Sequence, residues 1–317
     1  MNTLTFPGLG LEFNLDPVAF SLFGKDIYWY GIIIAVGFIL AVLYGCRKAA
    51  PFGVDQDKVL DMLFFAVPAA IIGARAYYVI FYLDLYIDKT GKFNWGKAIA
   101  IWDGGLAIYG GIIAAVLAAI IYCKVRKEPF WCYADCAAYG FLIGQMIGRW
   151  GNFMNIEAYG GTTKLPWRMC SPKIAAELLY DGQISTDVYD RIVEGTMGVH
   201  PTFLYESIWN LVGFILLIIL FRKIRKFDGQ VFLCYVIWYG VGRFAIESMR
   251  TDSLYFFNTG LRTSQLVAIA SVVVAVVIYT IRLRTSGPAS LPFVKKSVST
   301  DIQECEEGGT DDVGDQD

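Results

Sequence analysis

The chain has 317 residues, 56% hydrophobic and 18% charged, with a formal charge of -2 and a mean hydropathy of +0.49. Soluble globular chains are less apolar and more charged, so a soluble fold is excluded. The small net charge sums unlike parts, because Lys and Arg cluster at the ends of apolar runs while Asp301 to Asp317 holds acids and no base; it points to no nucleic-acid partner.

In chain order, the apolar runs long enough to cross a bilayer are Ile27–Cys46, Val59–Tyr82, Gly104–Cys123, Cys132–Arg149, Phe203–Phe221, Gln230–Met249 and Thr263–Ile281. They predict an all-α polytopic membrane protein of seven transmembrane helices. No basic n-region precedes the first run, Lys25 being the first positive charge, so that run reads as a retained helix and not a cleaved signal.

The short loops after runs one, three and five carry Arg47, Lys48, Lys124, Arg126, Lys127, Arg222, Lys223, Arg225 and Lys226, and Arg282 and Arg284 follow the last run. Basic residues in short loops mark the cytoplasmic side, which puts the N-terminus outside and the C-terminus inside. Under this topology Trp150–Pro201, with helical propensity around Lys173 to Tyr180, forms a small extracytoplasmic cap between spans four and five. Residues 1–286 then make one seven-span domain, and 287–317 an acidic, disordered cytoplasmic tail.

Seven cysteines occur without metal-like or redox spacing, and Cys132 and Cys136 read as buried small residues. A single histidine, His200, excludes a multi-histidine metal site. No internal repeat is evident, which weakens a transporter built from inverted halves.

A charge near the bilayer centre costs about 2.5–3.5 kcal/mol on insertion scales, so Arg75, Asp135, Arg149, Arg243 and Glu247 need a reason. A purely structural account has Arg75 and Arg149 snorkelling to the interface and Arg243 neutralised by Glu247 one turn away. Against that account, the topology gathers Tyr30, Arg75, the stretch Trp102 to Gly111, Arg149, His200 to Glu206, Arg243 and Glu247 at the outer face, implying a cationic, Gly-lined cavity that opens outward. Gly140, Gly144 and Gly148 recur every four residues and form a face for helix packing. Several Arg in a low-dielectric pocket suit a phosphate, which in this place is a phospholipid headgroup. Asn152, Asn155 and Glu157 can hydrogen-bond a polyol head or an attacking group.

The stretch GRWGNFMNIEAYGG, Gly148 to Gly161, resembles the signature of the prolipoprotein diacylglyceryl transferase family, Gly-Arg-x-Gly-Asn-Phe-x-Asn-x-Glu followed shortly by Gly. The resemblance extends through WYG at Trp29, GAR at Gly73, WDGGLAIYGG at Trp102, HPTFLYES at His200 and GRFAIESMR at Gly242, and covers roughly residues 15 to 285. It implies transfer of a diacylglyceryl group from phosphatidylglycerol to the lipobox cysteine of a prolipoprotein signal peptide, at the outer leaflet of a bacterial plasma membrane, with no metal or organic cofactor. It also implies that Arg149 and Arg243 bind the phosphate; Arg75 and His200, at the same outer face, are read as further lipid contacts. Asn152, Glu157, Gly160, Tyr30 and Glu247 complete the catalytic pocket.

One residue departs from the family pattern: Tyr109 stands where many members have His before the second Gly pair. The thiol is then deprotonated with help from a positive field, from Tyr109 or from Glu157. An anion or lipid transporter with an Arg-lined cavity, or a lipid-binding scaffold without chemistry, would use the same arginines.

Overall fold

The computed structural model describes residues 2–88, 91–251 and 262–285. Two hairpins open the chain: β1 (Asn2–Phe6) with β2 (Leu11–Leu15), and β3 (Val18–Leu22) with β4 (Lys25–Tyr28). There follow α1 (Trp29–Arg47), α2 (Gln56–Phe81), α3 (Trp95–Ile99), α4 (Ile108–Arg126), α5 (Phe130–Asn155), β5 (Thr162–Thr163), α6 (Pro172–Tyr180), α7 (Thr186–Val193), β6 (Gly198–Val199), α8 (Thr202–Ile224), α9 (Gln230–Glu247) and α10 (Thr263–Thr285).

Each of the seven apolar runs is helical over most of its length, and among the described residues five helices are long and apolar enough to cross a membrane: α1, α2, α4, α8 and α10. The apolar content of α5 and α9 is diluted by polar side chains, among them Asp135, Gln145, Arg149 and Asn152 on α5 and Gln230, Arg243 and Glu247 on α9.

The described residues group into two compact units, one from 2–45 and 137–285, the other from 46–136. In the smaller unit α2 is preceded by Asp55, whose side chain accepts the Asp57 N–H at 3.0 Å, a cap for donors that a helix start leaves unpaired. It packs against α4 through small residues: a Cβ added at Gly73 or Gly110 would run into Ala114 or into Tyr77. Cys132 and Cys136 are buried, as the sequence suggested.

In the larger unit α1 lies on α5. Side chains at Gly37, Gly140 and Gly148 would meet Ile147, the Ala41 carbonyl and Ile34 at 3.2–3.3 Å, so these glycines set how near the helices approach. A stacked pair, Trp209 and Trp238 with centroids 4.2 Å apart, locks α8 to α9, and each indole N–H donates to the other residue's carbonyl at 3.0 Å. Gly242 and Gly213 make room for those rings. Ser207 ties α8 to α5 by donating to the Met146 carbonyl at 3.0 Å.

Three sequence expectations need correction. The fold is mostly helical but not all-α, because the first 28 residues and the insertion contribute six short strands. Their alternation spans only two to five residues, too few for a periodicity signal. Arg149 does not end its helix, since α5 runs on to Asn155 and breaks only at Ile156, where φ is +52°. Gly104 and Gly105 lie before α4 and not within it, with φ of +81° and +74°, values that a Cβ disfavours.

The 150–201 insertion folds together with the N-terminal hairpin. Leu4, Phe6 and Leu15 share a core with Ile156, Met169, Ile174, Leu178, Ile192 and Val199, and Thr5 and Cys170 exchange backbone hydrogen bonds of 2.8 and 2.9 Å. The helix expected at Lys173 to Tyr180 is α6, capped by Ser171. The acidic tail, 287–317, lies outside the described residues.

Candidate active site

Three helices of the larger unit converge on one carboxylate. Glu206, in the first turns of α8, has a side chain only 3% exposed; its Oε1 receives Arg149 Nη2 of α5 at 2.5 Å and its Oε2 receives Arg243 Nη1 of α9 at 3.2 Å. Arg243 Nη2 also pairs with Glu247 Oε2 at 2.6 Å, four residues on along the same helix. The Trp209–Trp238 lock brings Arg243 to Glu206, and the Ser207 tie brings Arg149 to it. The two charged hydrogen bonds to Glu206 are directional and the Arg243–Glu247 contact is an ion pair, so the two guanidinium planes are held with little rotamer freedom.

The arginine side chains remain 20% and 19% exposed, against 3% and 4% for Glu206 and Glu247, so the carboxylates are nearly enclosed while the arginines keep part of their surface accessible. The expected cationic cavity is corrected accordingly: the two positive charges are countered by buried acids, which fix direction more than they leave net charge. Pairing of Arg243 with Glu247 is as the sequence suggested. The Glu206 bridge is not, because Glu206 stood only as the end of the outer-face stretch His200 to Glu206, with no partner assigned to it.

From Arg149 a chain of side chains leads to Glu157. Arg149 Nη1 donates to Asn152 Oδ1 at 3.3 Å, Asn152 Nδ2 donates to Glu157 Oε1 at 2.9 Å, and Asn155 Nδ2 donates to the same oxygen at 3.3 Å. Continuation of α5 past Arg149 makes this possible, since Arg149 and Asn152, three residues apart, share a helix face. Glu157 stands between two non-glycine residues of positive φ, Ile156 at +52° and Ala158 at +55°. A β-branched residue in that region is strained, and here burial of Ile156 to 1% in the cap core holds it there. Glu157 also borders a cavity of about 580 Å³ lined by Tyr159, Glu177, Tyr180 and Thr251 among others.

Tyr30, at the start of α1, lies against Gly151 of α5; a Cβ there would be 2.7 Å from its ring. Gly160 is a close backbone crossing: its N–H donates to the His200 carbonyl at 2.9 Å, and an added Cβ would lie 2.8 Å from His200 Cβ and 2.9 Å from the Met249 carbonyl oxygen. Its place is one that only glycine fills. His200 Nδ1 is 3.2 Å from the Tyr205 hydroxyl, which accepts from Trp167 Nε1 at 2.7 Å, and burial lowers the imidazole pKa below its usual value.

Arg75 and Tyr109 belong to the smaller unit. Arg75 is 7% exposed, and four of its five N–H groups donate to the carbonyls of Lys97, Ala98, Gly104 and Gly105 at 2.5–2.9 Å. Most of the fork of Arg75, expected as a lipid contact, is engaged by the backbone, where it organises the glycine stretch before α4. Tyr109 is half-buried in the first turn of α4. Among the described residues no cluster of three or more His, Cys, Asp or Glu could hold a metal ion.

Helices long and apolar enough to cross a membrane, together with a nearly enclosed carboxylate bridging two arginines in the larger unit, define a helical membrane protein. Comparison with known families narrows the class: the model of the prolipoprotein diacylglyceryl transferase family matches residues 17–281. The chain is 44% identical over 271 residues to the phosphatidylglycerol–prolipoprotein diacylglyceryl transferase of Oceanobacillus iheyensis, covering 86% of this chain and 89% of that one. It is 46% identical over 264 residues to the enzyme of that name from Lysinibacillus sphaericus, covering 83% and 91%. The like-named protein of Bacillus cytotoxicus is 40% identical over 288 residues, 91% of this chain and 99% of its own. The chain belongs to the prolipoprotein diacylglyceryl transferase family.

Proposed function

We propose that the protein transfers the diacylglyceryl group of phosphatidylglycerol to the cysteine thiol of a prolipoprotein, as the names of its relatives imply for them. The observation that carries the reading is the convergence of Arg149 and Arg243 on the buried Glu206, with Glu157 reached from Arg149 through Asn152.

The cysteine sulfur loses its proton and attacks the glyceryl carbon that carries the phosphoester oxygen. A carbon–sulfur bond forms, the carbon–oxygen bond breaks, and its electron pair leaves on glycerol phosphate. No electrons are exchanged with a third reactant, so the step balances without a cofactor. Negative charge grows on the departing phosphate, and donors fixed before the reaction stabilise it most. The accessible surfaces of Arg149 and Arg243 supply those donors, while Glu206 and Glu247 hold the planes in place. Glu157, whose Oε1 two asparagine amides already engage, receives the thiol proton; Tyr30 and His200 flank the lipid, and Gly160 holds the backbone around them.

The basic loops support a seven-span arrangement in a bacterial plasma membrane, N-terminus outside, with the 150–201 cap outside and the site facing the outer leaflet. In that leaflet a phospholipid headgroup meets a precursor whose cysteine has just emerged.

The test is incubation of purified protein with labelled phosphatidylglycerol and a lipobox peptide. A thioether-linked diacylglyceryl peptide and an equal amount of glycerol phosphate are expected. Lipid binding with neither product would reduce the protein to a lipid-binding scaffold, and lipid movement between leaflets without products would make it a transporter.

A further inference from the structure

Asn210 is fully buried, at 0% exposure, and neither its amide nitrogen nor its amide oxygen has a hydrogen-bond partner in the chain. An unpaired amide in an apolar setting costs roughly 1–3 kcal/mol, and an apolar side chain at this position would avoid the cost. Its place in the fold is specific. Asn210 lies four residues after Glu206 on α8, on the same face and about 6 Å further from the cap at 1.5 Å per residue. A second open group sits at the matching level of α5: Gln145, four residues before Arg149, donates Nε2 to the Tyr235 hydroxyl at 2.9 Å, while its Oε1 is unpaired. One turn away from the arginine clamp, the helices that build the clamp therefore carry a second, uncharged polar level.

We propose that Asn210 is a donor-specificity residue, whose amide N–H donates to an ester carbonyl of the lipid held at Arg149 and Arg243. The inference rests on the lipid reading of that site. With the phosphate at the clamp and the chains running away from the cap, the first polar groups below the phosphate are the acyl ester carbonyls, about one helical turn down. They are neutral acceptors, which suits an amide donor and gives nothing to a charged one. Hydrocarbon chains alone offer no partner at that level.

The experiment compares two donors, diester phosphatidylglycerol and its dialkyl ether analogue, which keeps the headgroup and chain length but lacks the carbonyls. Wild-type enzyme is expected to favour the diester in kcat/KM by roughly tenfold, one buried hydrogen bond, with most of the difference in KM. Asn210→Leu should remove that preference by weakening the diester alone, and Asn210→Ser, a shorter donor, should retain part of it. Equal use of both lipids by the wild type would overturn the proposal with no variant needed, even if Asn210→Leu failed to accumulate. So would an Asn210→Leu enzyme that keeps the preference, or one that loses both donors equally, as a site filled by structural water would. If the wild type made no thioether from either lipid, the transferase reading itself would fail.

Discussion

Replacing Glu206 by Gln tests the bridge between the two arginines with almost no change of shape. The glutamine oxygen can still accept from one guanidinium, but its NH2 turns two donors on the other, so one charged hydrogen bond is lost and a cation is left partly buried. Charge-assisted bonds contribute about 1.5–3 kcal/mol each and breaking a fully buried pair costs about 3–5; with the arginines one-fifth exposed, water recovers part, leaving a loss of about 2–4 kcal/mol. Released from Glu206, either plane can shift by an ångström, and displacement on that scale costs about 100-fold in rate. Thermal melting in detergent and thioether formation from labelled phosphatidylglycerol read the two effects separately. Glu206→Asp, which keeps the charge at shorter reach, should fall between. If Glu206→Gln melted and turned over like the wild type, the carboxylate would not hold the clamp, and the directed-donor account of phosphate binding would be wrong.

Arg149→Lys and Arg243→Lys keep the charge but lose the planar fork, and each should accumulate while losing most thioether formation; near-normal activity in both would leave only a diffuse positive field. Because burial lowers the His200 pKa, the unfolded chain takes up this proton more readily than the folded one, so melting temperature should fall as pH drops through the usual imidazole value of 6.5. His200→Gln should flatten that dependence, and an unchanged slope would assign it to other groups. A cysteine placed within 182–195 should react with a membrane-impermeant reagent applied outside intact cells, and one placed beyond Lys296 should not; the reverse labelling would invert the topology.

Some of this was legible in the residues alone. Membrane residence follows from composition, because hydropathy is a property of each side chain wherever it packs. The helical runs follow from contiguous apolar stretches, α6 from local propensity, and the Arg243–Glu247 pair from a four-residue spacing that any helix converts into contact. Other features depend on partners distant in sequence. Arg75 and Arg149 look alike as membrane arginines, yet one is enclosed by the carbonyls of 97–105 and the other reaches a carboxylate 57 residues away. Strands of two to five residues carry too little pattern to announce themselves, so the hairpin's place in the cap core emerges only from its burial against Met169 and Val199. Glu206 reads locally as one acid at a helix start; only the packing of α8 against α5 and α9 makes it the point where both arginines meet, since a charge so nearly excluded from water is stable only where the fold brings opposite charges to it.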